Sequence, residues 1–157
     1  WMGIIEEVGK PRVEHSKRPV EGFACTRSEI SGRRLWKLFA DRFPCAKDFF
    51  EDHFVVNFCP LAFLEETGRN RTPDKLPTKE LAALFRACDG HLRNVVKILQ
   101  PEWLIGIGGF AEERAHFLFS DDQLTIGRIL HPSPASPAAN RNWSEKATSQ
   151  LRSLGVW

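Results

Sequence analysis

No apolar stretch in this sequence approaches the roughly 18 residues that a membrane-crossing helix requires. The opening segment "WMGIIEEVGKPR" has acids and a proline where a secretory signal would be apolar, so no cleavable leader is read there. Cysteine is sparse and scattered: Cys25, Cys45, Cys59 and Cys88 show no C-x-x-C spacing. That argues against zinc or iron–sulfur ligation and for reduced thiols in an intracellular protein, most of them packed as small apolar residues. No G-x-S-x-G elbow, H-E-x-x-H helix or phosphate-loop lysine is present, so the common serine-hydrolase, zinc-protease and nucleotide-loop chemistries have no sequence support. Strong charge of one sign is lacking too. With 22 Lys and Arg against 20 Asp and Glu, the net charge of +2 permits a nucleic-acid partner without arguing for one.

What is present is the composition of one compact domain: 157 residues, 42% hydrophobic and 27% charged. The chain begins at Trp1, and "WMGIIEE" reads as the interior of a domain that starts further upstream. Residues 9–27 are basic, proline-punctuated and aperiodic, which predicts a loop. Ser28 then opens "SEISGRRLWKLFADRF", where Ile30, Leu35, Leu38 and Phe39 recur at helical spacing until Pro44. The β-branched and aromatic run Phe54 to Phe58 predicts a buried strand that enters a proline turn.

A long helix is expected from Thr78 as N-cap, with Leu81, Leu84, Phe85, Cys88, Leu92, Val95, Val96 and Leu99 along one face. A strand at Trp103–Ile107, a glycine turn and a helix from near Ala111 follow. "LTIGRIL" predicts another strand, and a last helix spans roughly Trp143–Leu154, capped by Gly155. Strands alternating with helices imply a parallel sheet covered by helices. In such sheets ligands bind beyond the carboxyl ends of the strands. "NFCP", "GIGGFAE" and "HPSP" each follow a strand, so they are expected to converge on one rim.

Three features on that rim have chemical potential. Asn57 ends the expected strand, and its amide carries both donors and an acceptor, suited to the edge of a planar base; it suits a turn cap equally well. His131 stands at a strand end before Pro132, where an imidazole can donate to an oxygen that gains charge, or bond a loop carbonyl. The prolines at 132, 134 and 137 stiffen the loop that follows. Gly106, Gly108 and Gly109 allow close backbone approach. They fit either a phosphate at a helix N-terminus or tight packing of strand on helix. Lys10, Arg12, Lys17, Arg18, Arg33, Arg34, Arg69, Arg71, Arg128 and Arg141 are spread along the chain, and any that gather on the rim would neutralise phosphates.

Taken together and in this order, "NFCPL", "GIGGFAE" and "HPSPASPAANRNW" resemble the single-strand-selective monofunctional uracil-DNA glycosylases. "RPVEGFACTRSEISGRRLWKLF", "TGRNRTPDKL" and the closing "LRSLGV" are similar to that family as well, so the resemblance runs from about Arg18 to Val156. It implies a three-layer α/β/α sandwich with a short parallel sheet. It also implies hydrolysis of the N-glycosidic bond of uracil and 5-substituted uracils, without strand cleavage and without cofactor or metal. By the same resemblance Asn57 reads the pyrimidine edge and His131 hydrogen-bonds the oxygen of the departing base. Pro132, Ser133, Pro134, Ala135, Ser136, Pro137 and Asn140 lie in the wedge that enters the base stack and replaces the flipped nucleotide.

Two departures qualify that implication. The family's Gly-Met-Asn-Pro-Gly-Pro motif, which positions the attacking water on the first sheet strand, occurs nowhere in these residues. Its place would be upstream of Trp1, so the expectation is a single domain over residues 1–157 that lacks its first strand. Ala135 stands where the family carries an arginine, and Gly109 where a basic residue is expected. The expected partner is uracil-containing DNA, single- or double-stranded, met by a monomer in the nucleus of an animal cell or in bacterial cytoplasm. Two other readings stay open: a DNA or damaged-base binding domain that no longer hydrolyses, and a small-molecule enzyme that uses the same rim.

Overall fold

A computed structural model describes residues 1–120 and 124–157, with Asp74 as backbone alone. The elements in chain order are α1 (Ile30–Arg42), α2 (Ala46–Asp52), β1 (Phe63–Leu64), β2 (Asn70–Arg71), α3 (Thr78–Leu99), β3 (Trp103–Ile107), α4 (Gly109–Phe119), β4 (Thr125–Ile129) and α5 (Trp143–Leu154). Short 3₁₀ turns cover Gly22–Ala24, Pro73–Lys75 and Pro137–Asn140.

β3 and β4 run parallel, with Trp103 opposite Thr125 and Ile107 opposite Ile129. Alternation along these strands sends side chains to opposite faces. Ile105, Ile107 and Ile129 join Leu35, Leu38, Phe39, Phe49, Trp143 and Leu151, a core built by α1, α2 and α5. Leu104 and Ile126 face the other way, onto Leu92, Leu118 and Phe119 of α3 and α4. The expected α/β architecture with a short parallel sheet is therefore present, with helices on both faces.

The long helix, both strands and the last helix lie where the sequence places them. Gly155 closes α5 with φ +81, a left-handed conformation suited to glycine. Boundaries move at two caps. α1 is capped by the Glu29 carboxylate, which accepts from the Ser31 and Gly32 N–H groups, rather than by Ser28. Thr78 is the first residue of α3, after Pro77.

The expected strand at Phe54 to Phe58 is a correction: those residues form no strand. The segment keeps a two-sided character, with Val55 packed on the α1/α5 core and Val56 and Phe58 on the α3/α4 core. A strand, however, needs a neighbour to take its N–H and C=O groups. Among the described residues β3 pairs with β4 alone, and nothing pairs with 54–58. Phe54 is 61% exposed. The cysteine expectation is also only partly met: Cys88 is buried and Cys59 half-buried, but Cys25 and Cys45 are exposed. Burial, then the adjacent Cys59 thiol, pushes the Cys88 thiol up to about 11.

Among the described residues no helix is long and apolar enough to cross a membrane. Among the same residues no three His, Cys, Asp or Glu side chains stand together as a metal site.

Candidate functional site

The rim at the carboxyl ends of β3 and β4 is built from two turns in contact. After β3 the chain reverses at Gly108, whose φ of +96 would strain any side-chain-bearing residue. The Gly108 N–H donates to the Ile129 carbonyl at 2.9 Å, which ties this turn to the end of β4. Two residues later His131 lies over the turn: a Cβ on Gly108 would stand 3.0 Å from the His131 Cβ. Gly106 has a different reason. A Cβ there would meet the Glu112 backbone nitrogen at 2.4 Å, so tight packing of strand against helix requires this glycine.

His131 is exposed, and its Nδ1 accepts from the Ser133 N–H at 3.1 Å. An accepting ring nitrogen is unprotonated, so the neutral ring carries its proton on Nε2. Nε2 makes no hydrogen bond to the described residues, so its proton is free to be donated to a ligand. Glu29 faces the same corner. Burial pushes its carboxyl upward, but hydrogen bonds from the Gly32 and Ser31 N–H groups outweigh this and hold it below the usual carboxylate range.

Residues 130–143 form a braced projection. Three prolines remove backbone donors, and side chains satisfy the carbonyls instead. The Leu130 carbonyl accepts from the buried Trp143 Nε1–H at 2.7 Å, and the Leu130 N–H donates to Gln150 Oε1 at 2.8 Å. Arg34 donates to the Pro132 carbonyl at 2.9 Å and to Asn140 Oδ1 at 3.3 Å. Asn140 in turn donates to the Pro134 carbonyl, and Lys146 to the Ala138 carbonyl. A turn closed by the Ser136 N–H on the Ser133 carbonyl leaves Pro134 and Ala135 exposed at the tip, with Pro137 exposed beyond them.

These contacts sort the candidate residues. Ser133, Pro134, Ala135, Ser136 and Pro137 are the outward part of the loop. Pro132 is buried and the Asn140 amide is spent inside the loop, so both shape the projection rather than extend it. Asn57 is exposed on the extended segment and has no hydrogen-bond partner among the described residues, so it does not sit in a dry pocket. Its neighbour Phe58 contacts Phe110, the residue after Gly109, with ring centroids 5.4 Å apart. The three segments thus form one chain of contacts, from Phe58 to the glycine turn to His131.

Of the scattered cations, Arg34 joins the loop and Arg128 pairs with Glu112 beside Gly109. Arg18 and Arg71 instead brace the loop near β1 and β2, through Gly68 and Lys75 carbonyls. The bracing roles of Arg34 and Gln150 have no local sequence signal, because their partners lie 98 and 20 residues away. Trp143 is different, since a lone indole at a helix start invites the question of where its N–H goes.

No family model matches the chain. The chain is 40% identical to the single-strand selective monofunctional uracil-DNA glycosylase of Rattus norvegicus, over 99% of its own length and 57% of that protein's. It is 39% identical to the proteins of the same name from Bos taurus and Mus musculus, again over 99% of the chain and 58% and 57% of the relatives. The chain thus spans a little over half the length of these curated relatives.

Proposed function

From a chain that belongs to the single-strand selective monofunctional uracil-DNA glycosylase family, we propose that the protein carrying it removes uracil and 5-substituted uracils from DNA by hydrolysing the N-glycosidic bond. The observation that carries this reading is the His131 arrangement. The ring rests on a glycine turn with Nδ1 occupied by the Ser133 amide, and the exposed side chain leaves Nε2 without a partner among the described residues, able to meet a base oxygen.

In the reaction the bond between the sugar C1′ and the base nitrogen breaks, and the base leaves with the bonding electron pair. Water supplies hydroxyl to C1′, and its remaining proton neutralises the base. A donor aimed at the oxygen of the departing anion contributes roughly 3 kcal/mol to such a step. His131 takes that role, Asn57 reads the pyrimidine edge, and the exposed tip of the proline loop fills the space the nucleotide vacates. No residue of these 157 is assigned to the attacking water. The protein acts as a monomer, in the nucleus of an animal cell or in bacterial cytoplasm.

A second reading, a DNA or damaged-base binding domain without hydrolysis, draws on one observation: Ala135, with neither charge nor reach, occupies the loop tip. The deciding experiment is uracil release from a labelled single-stranded oligonucleotide, run with this chain and with the protein at full length. His131→Ala in the active form should slow release by about 100-fold or more while DNA binding persists. Equal rates would remove His131 from the chemistry. DNA binding without release in any form would favour the second reading.

A further inference from the structure

We infer that Arg34 is a positioning residue for both the imidazole and the loop beside it, acting through the fork shape of its guanidinium rather than through its charge. The inference rests on the glycosylase reading for its catalytic consequence, but its structural half stands independently.

The loop after His131 has only local turns of its own, such as the Ser136 N–H on the Ser133 carbonyl. Prolines at 132, 134 and 137 remove three backbone donors, and among the described residues no strand pairs with it. Arg34, half-buried on the second turn of α1, sends one arm to the Pro132 carbonyl and the other to Asn140 Oδ1. Pro132 directly follows His131, and Asn140 ends the 3₁₀ turn at the far side of the loop. Asn140 then relays the restraint to the tip through the Pro134 carbonyl at 2.9 Å. One rigid group therefore fixes the spacing between the two ends of the projection.

A lysine would restore the charge but not the geometry. It places a single nitrogen on a flexible stem, whereas a planar guanidinium presents donors in a fixed fork. Phosphate attraction alone would survive Arg34→Lys, and two-point bracing would not. The loss should also depend on substrate. A duplex needs a stiff loop to hold the gap open, while a single strand has less stacking to disrupt.

The test compares wild type, Arg34→Lys and Arg34→Ala in the full-length protein by three readouts. These are uracil release from duplex and from single strand, backbone hydrogen exchange at Ser133, Ala135 and Ser136, and thermal unfolding. The expected result for Arg34→Lys is about tenfold slower release from duplex, the equivalent of about 1.4 kcal/mol in barrier. Release from single strand should fall less, the three amides should exchange faster, and the unfolding temperature should hold. Wild-type behaviour of Arg34→Lys in release and exchange overturns the proposal. Equal losses on both substrates with a lowered unfolding temperature also overturn it, by making Arg34 a general stabiliser. If wild type releases no uracil from either substrate, the glycosylase reading fails on its own, and the exchange data decide whether Arg34 braces the loop.

Discussion

His131 stands over Gly108 across the ends of two parallel strands and fills the space a side chain there would need. A Cβ on Gly108 would reach the His131 Cβ at 3.0 Å and its Cδ2 at 3.4 Å. The glycine thus sets the height of the imidazole. Gly108→Ala faces two penalties, a backbone φ of +96 and the crowded ring. Backbone strain of this kind costs of order 1–3 kcal/mol, so the variant should unfold at a lower temperature. Its uracil release should fall further than the stability loss explains, measured well below the unfolding transition. An unchanged rate would show that the ring height is irrelevant to the chemistry.

Asn57 is suited to a clean substitution. It is exposed and hydrogen-bonds no described residue, so Asn57→Ala should leave stability within about 0.5 kcal/mol of wild type. If its amide reads the base edge, uracil affinity and turnover should drop together. Competition by free uracil and by other pyrimidines checks this, and a retained preference for uracil would count against the role.

β3, β4 and α5 were legible in the sequence because each carries a complete local signal: a β-branched run, a turn residue, a capping glycine. Phe54 to Phe58 carries the same signal yet forms no strand. Alternation tells which side a residue faces, but pairing depends on a neighbour, which no local pattern supplies. α2 was not foreseen because its seven residues, Ala46–Asp52, are too few for a helical period to stand out. The glycine turn resolved into two jobs, close packing at Gly106 and a floor for His131 at Gly108. The braces Arg34 and Gln150 act through side chains on distant partners, and no window along the chain contains both ends of such a bond.

Ala135 stands exposed at the tip of the loop, with its N–H bonded to Ser133 Oγ at 3.2 Å. Alanine offers neither charge nor reach. Ala135→Arg keeps that N–H and adds a cation at the leading edge, so duplex affinity should rise. Each phosphate it neutralises should steepen the dependence of log K on log salt by about 0.9. Binding titrations across a salt series read this slope directly. No change in affinity or slope would mean that the tip does not approach DNA.

Trp143 is buried at 3% exposure, and its Nε1–H donates at 2.7 Å to the Leu130 carbonyl, one residue before His131. Trp143→Phe keeps an aromatic ring in the core but leaves that carbonyl without its donor. Loss of such a partner in a buried setting costs about 1–3 kcal/mol. In a domain of this size, that lowers the unfolding temperature by roughly 2–4 °C per kcal/mol. The freed carbonyl lies at the root of the loop, so the imidazole should lose registration with Gly108 as well. Uracil release measured far below the transition should therefore fall together with stability. A lower unfolding temperature with an unchanged rate would confine the indole bond to holding the fold, and would leave Arg34 and Gly108 to set the position of His131.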